Sequence, residues 1–384
     1  MTGIYIRGAK RTAIGAMQGQ FADLSAATLG GAAIKAALEQ AGVAGEQVDH
    51  LAFGTVISAG QGQAPARQAL HAAGIPWDTP ALTVNKMCGS GMQAVMNAAD
   101  RLRLEPGIAV AGGMENMTQA PYLMPKGRQG MRLGHGLLLD AMFLDGLEDA
   151  YQPGTLMGVF ADQTASERGI SRERQDHYAL ASLERAINAN NGEFSTEITP
   201  VTVASRKGET VYDKDESPFN ARPDKIPSLK PAFVKDGTVT AANASSISDG
   251  AAALVLGNQS EGALAHIVDY CSHAEKPEDF PVAPIGAISK LLARTGWTVE
   301  DVDLFEINEA FAVVPLAAMD AHNIPHDKIN VNGGACALGH PIGASAARII
   351  VTLIYALKAR GLKRGVASVC IGGGEATAMA IELR

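Results

Sequence analysis

The stretch AIKAALEQAGVAGEQVDHLAFG, residues 33–54, returns as AISKLLARTGWTVEDVDLFEIN at 287–308. At an offset of 254 residues, Ile34 meets Ile288, Leu38 meets Leu292, Gly42 meets Gly296 and Glu46 meets Glu300. Val48-Asp49 then falls on Val302-Asp303. Each copy reads as a helix with apolar residues at i and i+4, a glycine stop, a short turn and a buried strand. Two more pairs follow in the same order. LTVN (82–85) matches INVN (329–332), each ahead of a glycine-rich turn and a helix. AVAGGME (109–115) matches VCIGGGE (369–375), each an apolar strand running into glycines. Chance can produce one such match; three in one order point to a duplicated α/β half. A chain of 384 residues has room for two core-forming units.

The stretch between the copies is different. Eight of the 18 prolines lie between Pro121 and Pro231. SRERQDHYALASLERAINANNG (171–192) is its clearest helix, with Ser171 placed to cap the start and Gly192 to stop the end. A polar stretch follows at 205–225. Alternation then returns in DGAAALVLG (249–257), which reads as a strand of the first half. The expected division is a first half at 1–120, completed by 246–262, an inserted loop domain at 121–245, and a second half at 263–384. Long excursions of this kind often cover a site.

Composition narrows the partners. An apolar fraction of 47%, a charged fraction of 19% and 42 glycines suit closely packed α/β layers with tight loops. The net charge of −8 argues against nucleic acid or an anionic membrane as a broad electrostatic partner, while a local basic patch can still hold an anion. Cys88, Cys271, Cys336 and Cys370 lie far apart with no Cys-x-x-Cys pair, so a reducing compartment is expected rather than a disulfide scaffold. The start, MTGIYIRGAKRTAIGA, has no apolar signal core, and no stretch reads as a membrane span. The cytoplasm is the expected location.

Chemistry-bearing groups fall at matching strand ends. In NKMCGSGMQA (85–94), Cys88 stands between a strand and a helix, where the helix's positive end and free N–H groups favour thiolate and a lowered pKa. A nucleophile and a small buried residue both fit that place. His340, between Gly339 and Pro341, occupies the same station in the second half. A lone histidine is more often structural, but opposite Cys88 it becomes a candidate base, with Cys336 a rival thiol. Cys370 ends an apolar strand ahead of Ile371 and three glycines, whose N–H groups can hold an oxyanion. Asn308 and Glu309, in EINEAF, end a buried strand, where either a site or a helix cap is expected. The spacings of structural zinc are missing, so no metal is expected. GGGE lacks the Lys-Ser/Thr that a phosphate loop requires.

Six blocks, NKMCGSGMQAVMNAA, AGGMENMTQAPYLMP, LKPAF…DGTVTAANASSISDGAAA, EINEAF, GGACALGHPIGASAAR and CIGGGEA, resemble those of the thiolase family, in order and nearly end to end. The resemblance implies a duplicated five-layer α-β-α-β-α fold with a loop domain inserted in the first half. Cys88 resembles the acylated nucleophile, His340 its activating base and Cys370 the second, acid–base cysteine. Asn308 resembles the residue that holds a water, making one oxyanion hole with His340; the N–H groups of Cys88 and Gly372 would make the other. Ser245, Phe233, Phe311 and Met157 are expected along the pantetheine arm. Arg206, Lys207, Arg222 and Lys225 are either partners of the CoA phosphates or solvated loop charges. The resemblance further implies acyl-CoA and CoA as substrates, no resident cofactor, and a homotetramer built from dimers.

The chain departs from the family pattern in three places. Leu156-Met157-Gly158 replaces the His-Met-Gly frequent in acetoacetyl-CoA thiolases, which leaves that preference open. Cys336 stands where aliphatic residues are usual, and SSISDG replaces the commoner SG-x-N-D-G. The expected activity is the making or cleavage of 3-oxoacyl-CoA, with a longer-chain degradative thiolase as the alternative. A decarboxylating condensing enzyme and a non-catalytic acyl-CoA-binding relative fit less well, because Cys370 and the other reactive groups are all present.

Overall fold

The structure is a computed structural model that describes residues 3–206 and 208–384, so Lys207 lies outside the described residues. In the first half β1 (Ile4–Thr12), α1 (Ala26–Ala41), β2 (His50–Gly54), α2 (Pro65–Ala72), β3 (Ala81–Val84), α3 (Ser90–Leu104) and β4 (Ile108–Asn116) alternate, and β5 (Ser248–Gly257) completes the set. Between β4 and β5 run α4 (Met157–Glu167), α5 (Arg172–Asn190) and several short strands and turns. The second half repeats the pattern with β6 (Ala265–Ala274), α6 (Ala283–Thr295), β7 (Leu304–Ile307), α7 (Val313–His322), α8 (Ile342–Arg360), β8 (Arg364–Ile371) and β9 (Glu375–Leu383).

Local chemistry fixes the repeated boundaries. Gly42 ends α1 at φ 63° and Gly296 ends α6 at φ 70°, the left-handed turn that glycine makes without strain. These are the two glycines that the repeat aligned. Ser171 caps α5 through the N–H of Arg174 as expected, but Asn191 rather than Gly192 closes that helix. Asn191 does so at φ −91°, so no left-handed glycine is needed.

One matched pair diverges. LTV lies on β3, whereas INVN keeps a single bridge, Phe305 to Ile329. Asn330 turns the chain away at φ 46°, and its side chain replaces the ladder. Its Oδ1 accepts from the Ile307 N–H at 2.8 Å and its Nδ2 donates to the Ile307 carbonyl at 2.8 Å.

The main strands run in the order β7-β8-β9-β6-β1-β5-β4-β2-β3. The halves join edge to edge through antiparallel β1 and β6, with Ile4 opposite Ile267 and Ile6 opposite Ala265. The two-residue period of the strands sorts their side chains into separate cores. Ala252, Leu254 and Leu256 of β5 face a central cluster with Val95 and Leu102 of α3, Ile350 and Leu353 of α8, and Val369 of β8. Ala251, Ala253 and Val255 face an outer cluster with α1 and α2. On the far side Val366 of β8 and Ala378 of β9 meet Ile288 of α6 and Leu316 of α7. Three cores between helices and sheet make five layers, α1/α2, sheet, α3/α8, sheet, α6/α7, as expected.

The layering explains two departures. Every residue of β5 is buried, so the alternation read there is absent; both of its faces are covered. α8 is long and apolar enough to cross a membrane by length and composition, yet residues 342–357 are all buried. It is the shared helix of the central layer.

Candidate active site at the seam of the halves

The chain leaves β3 and turns at Met87, which sits at φ 46°. Ser90 ties this turn down: its Oγ accepts from the Lys86 N–H at 2.8 Å and donates to the Met87 carbonyl at 2.7 Å. Cys88 is therefore held just ahead of α3, half-buried, with its own N–H and that of Gly372 hydrogen-bonding to its sulfur. The lowered pKa expected there is not found. Burial pushes the thiol up to about 11, outweighing both N–H groups, and the nearby Glu115 carboxylate acts with burial. The glycines around Cys88 also do something other than leave room for a ligand. A Cβ on Gly89 would stand 2.4 Å from Ile371 Cδ1, and one on Gly91 would stand 2.8 Å from the Ala347 backbone N. They allow the halves to pack closely at this point.

His340 enters from the second half after Gly339, at φ 104°, and its N–H bonds the Ser246 carbonyl at 3.0 Å. Its Nδ1 lies 2.5 Å from Ser345 Oγ, which in turn lies 3.0 Å from the Pro341 carbonyl. A hydroxyl has one proton to give. When Ser345 donates it to Pro341, it accepts from Nδ1–H, which leaves the Nε2 lone pair free. Nε2 is buried without a protein partner. Burial pushes the His340 pKa down to about 3, and the Arg348 charge acts the same way, so the imidazole is neutral near pH 7.

Cys88, His340 and Gly372 line one cavity of about 230 Å³. Met157, Phe233, Ser245 and Phe311 form more of its wall, together with Leu156. The Phe233 and Phe311 rings meet edge-on at 5.9 Å. Position 158 must be glycine for this wall to form, because a Cβ there would stand 2.3 Å from the Phe233 ring.

Two expected residues sit behind the wall rather than on it. Cys370 is fully buried in β8, within the cluster that holds Phe311. Burial raises its pKa, and the neighbouring Cys88 raises it further. Asn308 is fully buried after β7, and both polar atoms of its side chain lack a protein partner. It caps no helix, since α7 begins only at Val313.

Arg222 is not brought to this cavity. It lines a second one, of about 390 Å³, with Lys225, Ser246 and Cys336. Ser245 and Ser246 thus face different cavities. The Cys336 sulfur points to the carbonyls of Asn243 and Glu309, at 3.5 and 3.7 Å, and this separates it from the Cys88 site. Among the described residues, no group of three or more His, Cys, Asp or Glu side chains is placed to hold a metal ion.

Sequence reasoning missed the tasks of two carboxylates. Glu115 accepts from the N–H groups of Val56, Ile57 and Gly343 at 2.9, 3.2 and 2.9 Å and from the Thr55 hydroxyl at 3.1 Å, which ties the start of α8 to the first half. Burial raises its pKa to about 7 against those bonds. Its signal was the GGME/GGGE match, read only as a strand end. Glu309 was noticed but given no task. It accepts from Tyr178 and Ser182 of α5, from Asn330 and from the Cys336 N–H, all at 2.7–3.0 Å.

Fold and cavity together define a duplicated five-layer α/β protein with a cysteine–histidine centre at the seam of its halves. The family follows from comparison with known proteins. The thiolase N-terminal domain matches residues 4–260 and the thiolase C-terminal domain residues 262–383. The chain belongs to the thiolase family. It is 46% identical to an acetyl-CoA acetyltransferase of Cupriavidus necator over the full length of both chains. It is 45% identical to one of Pseudomonas aeruginosa, and 43% identical to a probable acetyl-CoA acyltransferase of Staphylococcus aureus, with 99% of each chain covered in both cases.

Proposed function

We propose that the protein is a thiolase that moves an acyl group between Cys88 and CoA, making or cleaving 3-oxoacyl-CoA, with acetoacetyl-CoA and two acetyl-CoA as its principal pair. One observation carries this reading: the Cys88 sulfur, two backbone N–H groups and the free Nε2 of His340 meet at one apolar cavity. At rest both thiol and imidazole are neutral. The proton passes from Cys88 to His340 as sulfur attacks the thioester carbonyl. The negative charge moves onto the carbonyl oxygen, beside the N–H groups of Cys88 and Gly372. The CoA sulfur leaves with the proton from His340, and an acyl-enzyme remains.

In the condensing direction His340 first takes the Cys370 proton; the thiolate so formed takes an α-proton from a second acetyl-CoA, and the enolate oxygen accepts from the His340 Nε2–H and from a water held by Asn308. The enolate carbon attacks the acyl group, and Cys88 leaves with the proton from His340. Thiolysis is the reverse. CoA is a substrate, and the reaction needs no resident cofactor.

The pantetheine arm runs past Ser245, Phe233, Phe311 and Met157. Arg222 and Lys225, at the second cavity, receive the phosphates. A second reading, preference for a longer acyl chain, is favoured by Leu156, Leu147 and Ile342 in the cavity wall. The exposed Tyr122, Met124, Met131, Leu133, Leu137 and Leu138 support assembly as a dimer of dimers. Four free cysteines suit the reducing cytoplasm.

The test is mass spectrometry after incubation with acetyl-CoA, followed by a thiolysis assay on acetoacetyl-CoA. An acetyl group on Cys88 is expected; label on Cys336 overturns the assignment.

A further inference from the structure

Lys86 and Glu375 form an ion pair across the seam of the two halves. Lys86 stands two residues before Cys88, and Glu375 three residues after Gly372. On the other side of Cys88, Gly89 packs against Ile371 so closely that no Cβ fits between them. The chain segments 86–89 and 371–375 therefore run past one another in opposite directions. They are joined at 86–375 and at 89–371, with Cys88 facing Gly372 in between.

We propose that the Lys86–Glu375 pair is a clasp that sets the spacing of the Cys88 and Gly372 N–H groups, making both residues positioning residues for acylation. The proposal rests on the thiolase reading above. Each end of the clasp is anchored. The Lys86 backbone is held by Ser90 Oγ, and Glu375 opens β9, paired with Ala274 of β6 and Ile371 of β8. The turn between is closed at its far end, where the Gly374 N–H bonds the Ile371 carbonyl at 3.2 Å and the Gly374 carbonyl accepts from the Glu275 N–H at 2.6 Å, but Gly372 and Gly373 are loosely packed. A Cβ on Gly373 would meet nothing within 4 Å, and one on Gly372 would meet only Met157, at 3.4 Å. Gly373, at φ 94°, holds a conformation that glycine leaves easily, whereas Gly374, at φ 91°, is packed against the Lys276 carbonyl. The Gly372 N–H thus takes its position from what brackets it.

The pair is partly exposed, with side chains 22% and 38% accessible, so its effect on stability is small. Geometry is a different matter, because a misplacement of about 1 Å in a reacting site costs up to about 10²-fold in rate. A solvated ion pair aligned on a reacting pair also makes the rate sensitive to salt.

The test uses Lys86→Met, Glu375→Gln and the reciprocal Lys86→Glu/Glu375→Lys, with single-turnover acylation of Cys88 by acetyl-CoA, the KM for acetyl-CoA and thermal denaturation as readouts. Each single variant is expected to acylate about tenfold more slowly, with KM and melting temperature nearly unchanged. The reciprocal variant is expected to recover most of the loss. High salt is expected to slow the wild-type enzyme and leave the single variants unaffected. Single variants that acylate at the wild-type rate overturn the proposal. So does a loss confined to KM, which would make Lys86 a ligand of CoA. A wild-type chain that takes no acyl group on Cys88 sinks the thiolase reading and the clasp together; a wild-type chain that does, with variants equal to it, sinks the clasp alone.

Discussion

The Cys88 turn and the His340 turn occupy the same station in two copies of one fold, yet they are held in opposite ways. Each leads into a helix of the central layer. The first is short, and its backbone is tied from within: Ser90, at the head of α3, holds Lys86 and Met87. The second contains an extra helical turn, Ala335–Leu338, and hangs from distant groups. The Gly334 N–H bonds Ser182 of α5 at 3.0 Å, and the Cys336 N–H bonds Glu309 at 3.0 Å. Duplication supplied two equivalent turns, and the insertion took over the support of one. The backbone of the nucleophile's turn is closed by a local side chain, that of the base's turn by tertiary partners.

The largest effect expected on this contrast comes from removing the nucleophile. Cys88→Ala should abolish acyl-enzyme formation with the fold intact, read by mass spectrometry and circular dichroism. Cys370→Ala should still accept acetyl on Cys88, yet neither exchange the α-protons of acetyl-CoA with deuterium nor condense. Condensation at the wild-type rate in that variant would require a one-cysteine scheme. Next in size, His340→Ala should slow acylation by about 10²–10⁴-fold, as for other positioned acids and bases.

Glu309→Ala sharpens the comparison. It strips the acceptor from three buried donors and one part-buried donor, at a cost of about 3 kcal/mol or more, seen as a lower denaturation midpoint. The His340-dependent rate should fall while alkylation of Cys88 is retained. If both fell together, the two turns would not be independently supported.

The smallest effect near neutral pH is a pH dependence. The His340 pKa is near 3 in the fold against an ordinary value of 6.5. The unfolded chain therefore takes up a proton that the folded chain refuses, and this stability is complete above about pH 6.5 and lost as pH falls toward 3. His340→Gln should flatten the denaturation midpoint in that window, and an unchanged slope would place the titration elsewhere.

Much of this was legible in the sequence. Gly42 and Gly296 marked the repeat because a left-handed helix stop admits few other residues. Cys88, His340 and Gly372 were legible because a thiol, an imidazole and a glycine amide stand out at strand ends. The rest depends on burial and distance. The helix end at Cys88 predicts a lowered thiol pKa, and only the enclosing layers reverse it. Ser345 fixes the tautomer of His340 from one turn into α8, and nothing in its spacing announces the task. INVN has the composition of a strand, but the Asn330 side chain satisfies the neighbouring ladder instead. Arg222 is basic and in the right segment, and only the path of the chain places it, with Lys225, at the second cavity.

The placement of β5 also governs how the chain matures during synthesis. It lies between β1 and β4 in the sheet, although it is the last strand of its half to be made. Until residue 257 has left the ribosome, β1 has no neighbour on that side and β4 has an open edge, with the whole insertion still emerging between them. The first 120 residues therefore cannot close a core on their own, and fragments ending there should collect as an aggregation-prone intermediate. The register of β5 with β4, Leu254 opposite Ala111 and Ala252 opposite Gly113, is a long-range pairing that makes folding slow and nearly all-or-none. A nascent chain of this design depends on protection until its middle has passed through.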